Sequence, residues 1–188
     1  MNNTIVFVDG ENFVYKIEKV LRKEKIKINK INIQDIKLKD LISIALKRGV
    51  DINFYAARLK FYPETPRKSK QLIDTQRRFR NTLREQGINF IYSGYVRARK
   101  EGERMVFKEK GVDVKIAVDM VSMACDKRYE MIVLCSSDSD LQPAVAEAKA
   151  RGVKIVYLGF DIEPNKGLIY TTDKTVLFKN SEIVSAVT

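Results

Sequence analysis

Short, continuously apolar runs alternate with amphipathic stretches along this chain, and this alternation constrains the fold more than any other feature. The first run, residues 5–8, ends at Asp9 and Gly10, as expected of a buried strand that leads into a turn. Similar runs follow at 52–57, 88–92, 131–135 and 153–158. Between them, apolar residues recur at three- and four-residue steps, which is typical of amphipathic helices. The pattern predicts a mostly parallel sheet covered by helices on both faces.

We predict an α/β fold of three layers with the strand order 3-2-1-4-5. Residues 95–110 alternate apolar with charged side chains around Gly102 and predict an antiparallel hairpin. A short last strand is predicted at 175–178, followed by a tail from Asn180. Because the chain has 188 residues, against roughly 150 per domain, we expect a single domain with a core at 5–158 and a C-terminal extension at 159–188.

The net charge is strongly positive. The chain has 35 lysine and arginine residues against 24 acidic ones, which gives a formal charge of +11. Residues 58–104 contain thirteen basic and five acidic residues and so contribute +8 of this charge. Such an excess favours a polyanionic partner, either nucleic acid or an anionic membrane surface, with simple solubility as the alternative explanation.

Tyrosine and phenylalanine are interleaved with the basic residues of this central segment. Cations beside aromatic platforms suit single-stranded nucleic acid, because arginine binds phosphate and rings stack on bases. A solvated charged face with core aromatics is the alternative. The predicted nucleic-acid-binding residues are Arg58, Lys60, Arg77, Arg80, Arg84, Arg97, Arg99 and Lys110.

Histidine is absent from the chain. This absence excludes Ser-His-Asp and Cys-His catalysis, histidine general bases, HExxH zinc sites and histidine-ligated haem. The two cysteines, Cys125 and Cys135, lie in apolar stretches without CxxC spacing, and we predict buried thiols in a reducing compartment. Since Asp9 interrupts the first apolar run, we expect no signal peptide or membrane span and a cytoplasmic location.

Carboxylates follow two strands that the predicted order makes neighbours. Asp9 follows the first strand, and Asp138 and Asp140 follow the fourth. Ligands of such sheets bind outside the carboxyl ends of the strands, and a helix starting near Asp113 can present a third carboxylate there. A cluster of this kind favours a hard cation such as Mg²⁺ or Mn²⁺.

Each carboxylate also has a purely structural interpretation. An aspartate after a strand is commonly a turn residue or a helix N-cap, and Asp138 or Asp140 suits that role. Asp119 lies six residues, or about 240° of helix rotation, after Asp113. It therefore faces elsewhere, either at the margin of the cluster or in a salt bridge.

Three motifs in order resemble those of the NYN domain family, a branch of the PIN-like nucleases that includes LabA-type proteins. They are VDGENF at 8–13, KGVDV at 110–114 with Asp119, and SSDSDL at 136–141. The resemblance spans about residues 5–158. Ser137 stands where the family often has glycine and Leu141 where it often has an aromatic residue, but no acidic position is lost.

This resemblance implies a PIN-like fold and ribonuclease-type activity. It places Asp9, Asp113 and Asp138 at metal-ligand positions, and Asn12, Ser136 and Asp140 at supporting ones. The predicted catalytic residues are accordingly Asp9, Asn12, Asp113, Asp138 and Asp140, with Ser136 and Asp119 in support.

The sequence therefore predicts a ribonuclease that hydrolyses RNA phosphodiester bonds with Mg²⁺ or Mn²⁺, on single-stranded or structured RNA. A non-catalytic RNA-binding regulator on the same fold is the alternative, and a homodimer stays open. Glu11 disfavours a haloacid-dehalogenase-like phosphatase, which needs aspartate there, and Ser93 disfavours a phosphoacceptor receiver domain. Neither GxxxxGK[ST] nor GxGxxG occurs, so a nucleotide-binding loop is not predicted.

Overall fold

The computed structural model describes residues 3–26, 33–101 and 104–187. Within these ranges seven strands form one sheet: β1 (Thr4–Asp9), β2 (Asp51–Arg58), β3 (Asn89–Glu101), β4 (Arg104–Lys110), β5 (Met131–Cys135), β6 (Lys154–Phe160) and β7 (Lys174–Phe178). The α-helices are α1 (Gly10–Lys23), α2 (Leu38–Leu46), α3 (Pro66–Glu85), α4 (Val112–Cys125), α5 (Gln142–Ala150), α6 (Lys166–Thr171) and α7 (Asn180–Val187).

The order of the strands in the sheet is β4-β3-β2-β1-β5-β6-β7. Its five central strands, β3-β2-β1-β5-β6, are the predicted strands in the predicted order 3-2-1-4-5. The difference lies at the two edges, where β4 and β7 extend the sheet. The predicted hairpin is present, but its first arm continues β3 without a break, so that β4 pairs antiparallel to β3 while the other pairings are parallel.

Strand β1 lies at the centre of the sheet and is buried throughout its length. Its alternate side chains enter two separate cores, as the two-residue period of a strand requires. Val6 and Val8 pack on one face with residues of α1, α2, α3 and α7. Ile5 and Phe7 pack on the other face with α4, α5 and α6. Helices therefore cover both faces, as predicted.

The segment predicted as a C-terminal extension contributes to both the sheet and the core. β7 pairs with β6, and its Phe178 ring centroid lies 5.3 Å from that of Phe160 and 6.5 Å from that of Phe13. The predicted tail from Asn180 forms α7, whose Ile183 is fully buried. This segment covers apolar surface of α1 and β6 that would otherwise contact water.

The two cysteines differ, although both were predicted to be buried. Cys135 is buried at the end of β5, whereas Cys125 is exposed at the end of α4. The reason is helix geometry: Met120 and Ala124 occupy the buried face of α4, and the next residue points about 100° away from it. Arg151 donates from Nε to the Cys125 Sγ at 2.9 Å.

Among the helices in the described ranges, none combines the length and the apolar character needed to cross a membrane.

Candidate active site

Acidic side chains gather in a cleft at the carboxyl edge of the sheet. Val8 pairs with Cys135, so the chain leaves β1 and β5 side by side. The cleft has a volume of about 610 Å³. We call it the acidic cleft, and its lining residues are Asp9, Glu11, Asn12, Tyr15, Glu109, Lys110, Gly111, Asp113, Val114 and Asp138.

Asp9 is the most enclosed carboxylate of the acidic cleft, with 5% of its surface exposed. It caps α1 by accepting a hydrogen bond from the backbone N–H of Asn12 at 3.2 Å. It also accepts from Asn12 Nδ2 at 2.8 Å and from Ser136 Oγ at 2.9 Å. Burial raises the pKa of Asp9 above its ordinary value, and these hydrogen bonds offset only part of the rise. A positive ligand would therefore stabilise its charged form.

Gly10 allows the sharp passage from β1 into α1. A Cβ atom at this position would lie 2.5 Å from the Phe54 ring and 2.6 Å from the backbone oxygen of Tyr55. Only glycine fits this close approach to β2. The Asp-Gly pair in the first motif thus has a steric reason as well as a chemical one.

The loop after β5 forms the next side of the site. Ser136, which is 4% exposed, donates to Asp9 and accepts from the backbone N–H of Asp138 at 3.1 Å. Asp138 lines the acidic cleft and caps the 3-10 turn Ser139–Leu141, accepting from the Asp140 N–H at 2.9 Å. Asp9 and Asp138 thus each cap a helix or turn and also line the cleft, so the two interpretations of these residues are compatible. Asp140 is exposed and lies outside the lining of the cleft.

The β3–β4 hairpin brings a third segment to the acidic cleft. Tyr95 pairs with Lys110, and Ser93 donates from Oγ to the Gly111 oxygen at 3.0 Å. Gly94 has a positive φ of 64°, and a Cβ atom there would lie 1.9 Å from the Lys110 oxygen. This close contact places Glu109 and Lys110 next to Asp113, in the first turn of α4.

Glu109 is a site residue that the sequence reasoning missed. Burial, a hydrogen bond to Glu11 and the charges of Glu11, Asp9 and Asp113 raise the pKa of Glu109 to about 9. The Glu109–Glu11 pair therefore retains a proton at neutral pH and shares it in a hydrogen bond. The one feature of the sequence that could have indicated Glu109 is its position immediately before the second motif, at 110–114.

The donors of the acidic cleft suit a hard divalent cation. Its carboxylates are all oxygen ligands of the kind that Mg²⁺ and Mn²⁺ prefer. Burial is the largest cause of the raised pKa of Glu109, and the neighbouring negative charges add to it. As the side chains stand, no three acidic, cysteine or histidine groups in the described ranges are arranged to hold an ion. The chemistry of the donors thus fits a metal, although the described side chains are not arranged to coordinate one.

Asp119 lies away from the acidic cleft. It forms a salt bridge with Lys115, one turn earlier on α4, and accepts a hydrogen bond from the Tyr55 hydroxyl at 3.0 Å. The sequence left two alternatives for Asp119, the margin of the cluster or a salt bridge. In the structure Asp119 forms the salt bridge.

Four cations converge on two tyrosine rings beside the acidic cleft. Arg58 Cζ and Arg80 Cζ lie 5.2 and 6.0 Å from the ring centroid of Tyr92. Lys60 Nζ and Arg97 Cζ lie 4.6 and 5.1 Å from that of Tyr95. We call Arg58, Lys60, Arg80 and Arg97 the cation cluster. Since Tyr95 pairs with Lys110, the cluster borders the cleft.

The cation cluster is suited to bind an anion. None of its four members has a carboxylate within ion-pair distance among the residues that the structure describes. The tyrosine rings attract the cations, and Arg97 also donates from Nε to the Tyr95 hydroxyl at 2.8 Å. Both tyrosines are half-buried, and their role as stacking platforms stays a prediction. This arrangement favours contact with phosphate over contact with bases.

The other predicted nucleic-acid-binding residues are more scattered. Arg77 pairs with Asp74 at 3.6 Å on α3, and Arg84 is exposed on the same helix. Lys110 lines the acidic cleft. Arg99 lies on β3, but its side chain is outside the described part of the structure.

The fold and the cleft together define a class of protein, the α/β proteins that have a cleft at the carboxyl edge of a mostly parallel sheet. More particularly, the chain belongs to the NYN domain family, whose family model matches residues 3–178. This family is part of the PIN-like nuclease superfamily, as the three sequence motifs predicted.

A solved structure agrees with this fold. The crystal structure of a protein of unknown function from Vibrio parahaemolyticus is 22% identical, covers 93% of this chain and 91% of its own, and has a TM-score of 0.63. At this identity the similarity shows the fold alone. Comparison with curated proteins gives no significant match.

Proposed function

We propose that this protein is a metal-dependent ribonuclease that hydrolyses phosphodiester bonds in RNA. One observation carries the proposal: Asp9, Asp113 and Asp138 line one cleft, and a cluster of cations without carboxylate partners in the described structure borders it. An acidic centre beside a basic rim suits a polyanion whose reacting phosphate meets a metal ion. Membership of a nuclease superfamily supports this proposal.

Asp9, Asp113 and Asp138 would hold Mg²⁺ or Mn²⁺. Such an ion, when bound, lowers the pKa of a bound water and polarises the phosphate. Asn12 and Ser136 fix the orientation of the Asp9 carboxylate through three hydrogen bonds, as groups behind a metal ligand commonly do. Without these bonds the buried carboxylate would be free to rotate.

The basic residues would bind the RNA backbone. Lys110 lines the acidic cleft and is placed to contact the phosphate that reacts. The cation cluster would contact phosphates farther along the strand. Because this binding releases counterions, affinity should fall steeply as salt rises.

The direct test is cleavage of an end-labelled single-stranded RNA in Mn²⁺, Mg²⁺ or EDTA. We expect cleavage with either metal, loss with EDTA, and loss in Asp138→Asn with RNA binding retained. Asp126→Asn is the matched control, since Asp126 follows α4 at its far end from the cleft. A thermal shift with Mn²⁺ alone, reduced in Asp9→Asn, would report metal binding without reference to activity.

Two other outcomes have clear meanings. Binding of RNA without cleavage under any metal would replace the nuclease by a non-catalytic RNA-binding regulator. Failure of both binding and cleavage would show that the charge distribution serves neither function.

A further inference from the structure

Two exposed side chains without charge line the acidic cleft and have no part in holding a metal. Tyr15 is 55% exposed and Val114 is 61% exposed. They belong to α1 and α4, which pack on opposite faces of the sheet. They therefore approach the cleft from two different sides.

Packing in the core does not account for Tyr15. The buried side of α1 carries Phe13 and Ile17, and Tyr15 is two positions, or about 200°, from each of them. Its neighbours at helical spacing are Glu11 and Asn12, which also line the acidic cleft. Tyr15 is thus presented to the cleft by the same helix face that presents these polar groups.

The Tyr15 ring differs from the other two tyrosine rings near the site. Tyr92 has Arg58 and Arg80 near its ring, and Tyr95 has Lys60 near its ring and Arg97 hydrogen-bonded to its hydroxyl. Among the described residues, Tyr15 has one cation near its ring, Lys19 Nζ at 6.0 Å from the centroid. Tyr15 is exposed, whereas Tyr92 and Tyr95 are half-buried. Its ring remains largely accessible, so it is the one of these three suited to stack on a planar ligand.

We propose that Tyr15 stacks on the nucleobase next to the phosphodiester bound in the acidic cleft, and that Val114 contacts the same base from the α4 side. This inference rests on the proposed function and adds a base-binding site to it. Aromatic stacking accepts any base, because every base has a π face. The site therefore selects for an unpaired nucleotide and not for a sequence.

The consequence concerns the class of RNA. A base within a duplex is already stacked on both sides and cannot reach Tyr15 without leaving the helix. The preferred substrate is accordingly single-stranded RNA, or a loop or bulge of a folded RNA, at the nucleotide beside the bound phosphate. The cation cluster contacts phosphates farther along the strand, without regard to their bases.

The test uses Tyr15→Ala and Tyr15→Phe, with Tyr170→Ala as the matched control. Tyr170 is 86% exposed on α6 and does not line the cleft. We expect Tyr15→Ala to lower kcat/KM for single-stranded RNA about tenfold or more, which is within the range of one lost stacking contact. Tyr15→Phe, which keeps the ring, should stay within about twofold of the wild type, and Tyr170→Ala should be unchanged.

An abasic substrate separates stacking from other effects. Removing the base beside the cleaved bond should lower wild-type cleavage by the same factor, and should lower Tyr15→Ala cleavage no further. Equal rates for Tyr15→Ala and wild type, or wild-type cleavage insensitive to the abasic site, would overturn the inference. A melting temperature unchanged by Tyr15→Ala establishes that the variant folds.

A binding measurement distinguishes a failure of the base site from a failure of the proposed nuclease, because it does not require cleavage. Single-stranded RNA with 2-aminopurine at successive positions is titrated with protein in EDTA, and fluorescence quenching is recorded. Quenching that is lost in Tyr15→Ala and kept in Tyr15→Phe supports the base site even if the wild type cleaves nothing. Cleavage by the wild type together with quenching independent of Tyr15 refutes the base site and leaves the nuclease standing.

Discussion

Asp9 and Asp138 are joined through a single hydroxyl group. The Ser136 Oγ donates to Asp9 Oδ2 at 2.9 Å and accepts from the backbone N–H of Asp138 at 3.1 Å. The ends of β1 and β5 are thereby fixed relative to each other on the side where both carboxylates line the cleft.

Ser136→Ala should destabilise the protein and disorder the site together. The change removes one buried and one half-buried hydrogen bond. It leaves the Asp138 N–H without this partner, while Asp9 Oδ2 keeps the hydrogen bond from Asn12 Nδ2. We expect a loss of about 1–3 kcal/mol in the free energy of unfolding, measured by urea denaturation. Ser122→Ala, at an exposed position on α4, should change it by less than about 0.5 kcal/mol. Similar losses in the two variants would contradict this role.

Glu109 should make the metal-free protein less stable as pH rises. The pKa of Glu109 is raised from 4.5 to about 9 in the folded state, so the folded chain retains a proton that the unfolded chain releases. Its contribution is most favourable below pH 4.5 and is lost progressively as pH rises towards 9. The measurement is the melting temperature in EDTA across this range.

Glu109→Gln should remove that pH dependence, because the amide does not ionise. We expect the variant to melt above the wild type at high pH and to approach it at low pH. Glu64→Gln, at an exposed position in the loop before α3, is the control and should follow the wild-type curve. A wild-type curve and a Glu109→Gln curve that stay parallel would count against the raised pKa.

Gly94→Ala should be much more disruptive than Gly152→Ala. Both glycines have positive φ, 64° and 84°, but a Cβ atom would lie 1.9 Å from the Lys110 oxygen at Gly94 and would meet nothing within 4 Å at Gly152. The Gly152 variant should lose only the backbone term, about 1–2 kcal/mol. The Gly94 variant should lose distinctly more free energy of unfolding, measured by urea denaturation. Equal losses in the two variants would show that the hairpin backbone shifts to accept the Cβ atom without a loss of stability.

Arg80→Gln should weaken RNA binding in a salt-dependent way. If Arg80 contacts one phosphate of a single strand, its loss should reduce the slope of log K against log salt by about 0.7. Arg128→Gln is the control, because Arg128 precedes β5 at the opposite edge of the sheet and pairs with Asp126. Fluorescence anisotropy at several salt concentrations measures both slopes. A slope for Arg80→Gln equal to that of the wild type would exclude Arg80 from contact with phosphate.

The sequence was sufficient to predict the arrangement around β1. Continuous apolar strands and amphipathic helices predicted a mostly parallel sheet with right-handed crossovers. The order 3-2-1-4-5 that we predicted for it agrees with the five central strands. The same reasoning predicted that the carboxylates after β1 and β5 would be neighbours, and Asp9 and Asp138 line one cleft. Their roles as metal ligands stay predictions.

Features that depend on side-chain packing were not predictable in this way. Glu109 reaches the cleft only because the hairpin register pairs Tyr95 with Lys110, and a register is not visible in an alternating pattern. The apolar residues of α7 were missed because that helix is short and is stabilised by contacts with α1 and α2. The sequence does not distinguish Tyr15 from other surface tyrosines, because its position at the cleft depends on how α1 is placed.

The different exposure of the two cysteines allows the separation of β5 from its neighbours to be followed by thiol labelling. Cys135 is 1% exposed and directly precedes Ser136, and burial together with the charge of Asp9 raises the pKa of its thiol. Cys125 is exposed, so a thiol reagent will modify it at once and will reach Cys135 only when the end of β5 separates from its neighbours. The slow phase of labelling therefore reports that separation in a chain without substitutions, and a ligand that stabilises the end of β5 will slow it.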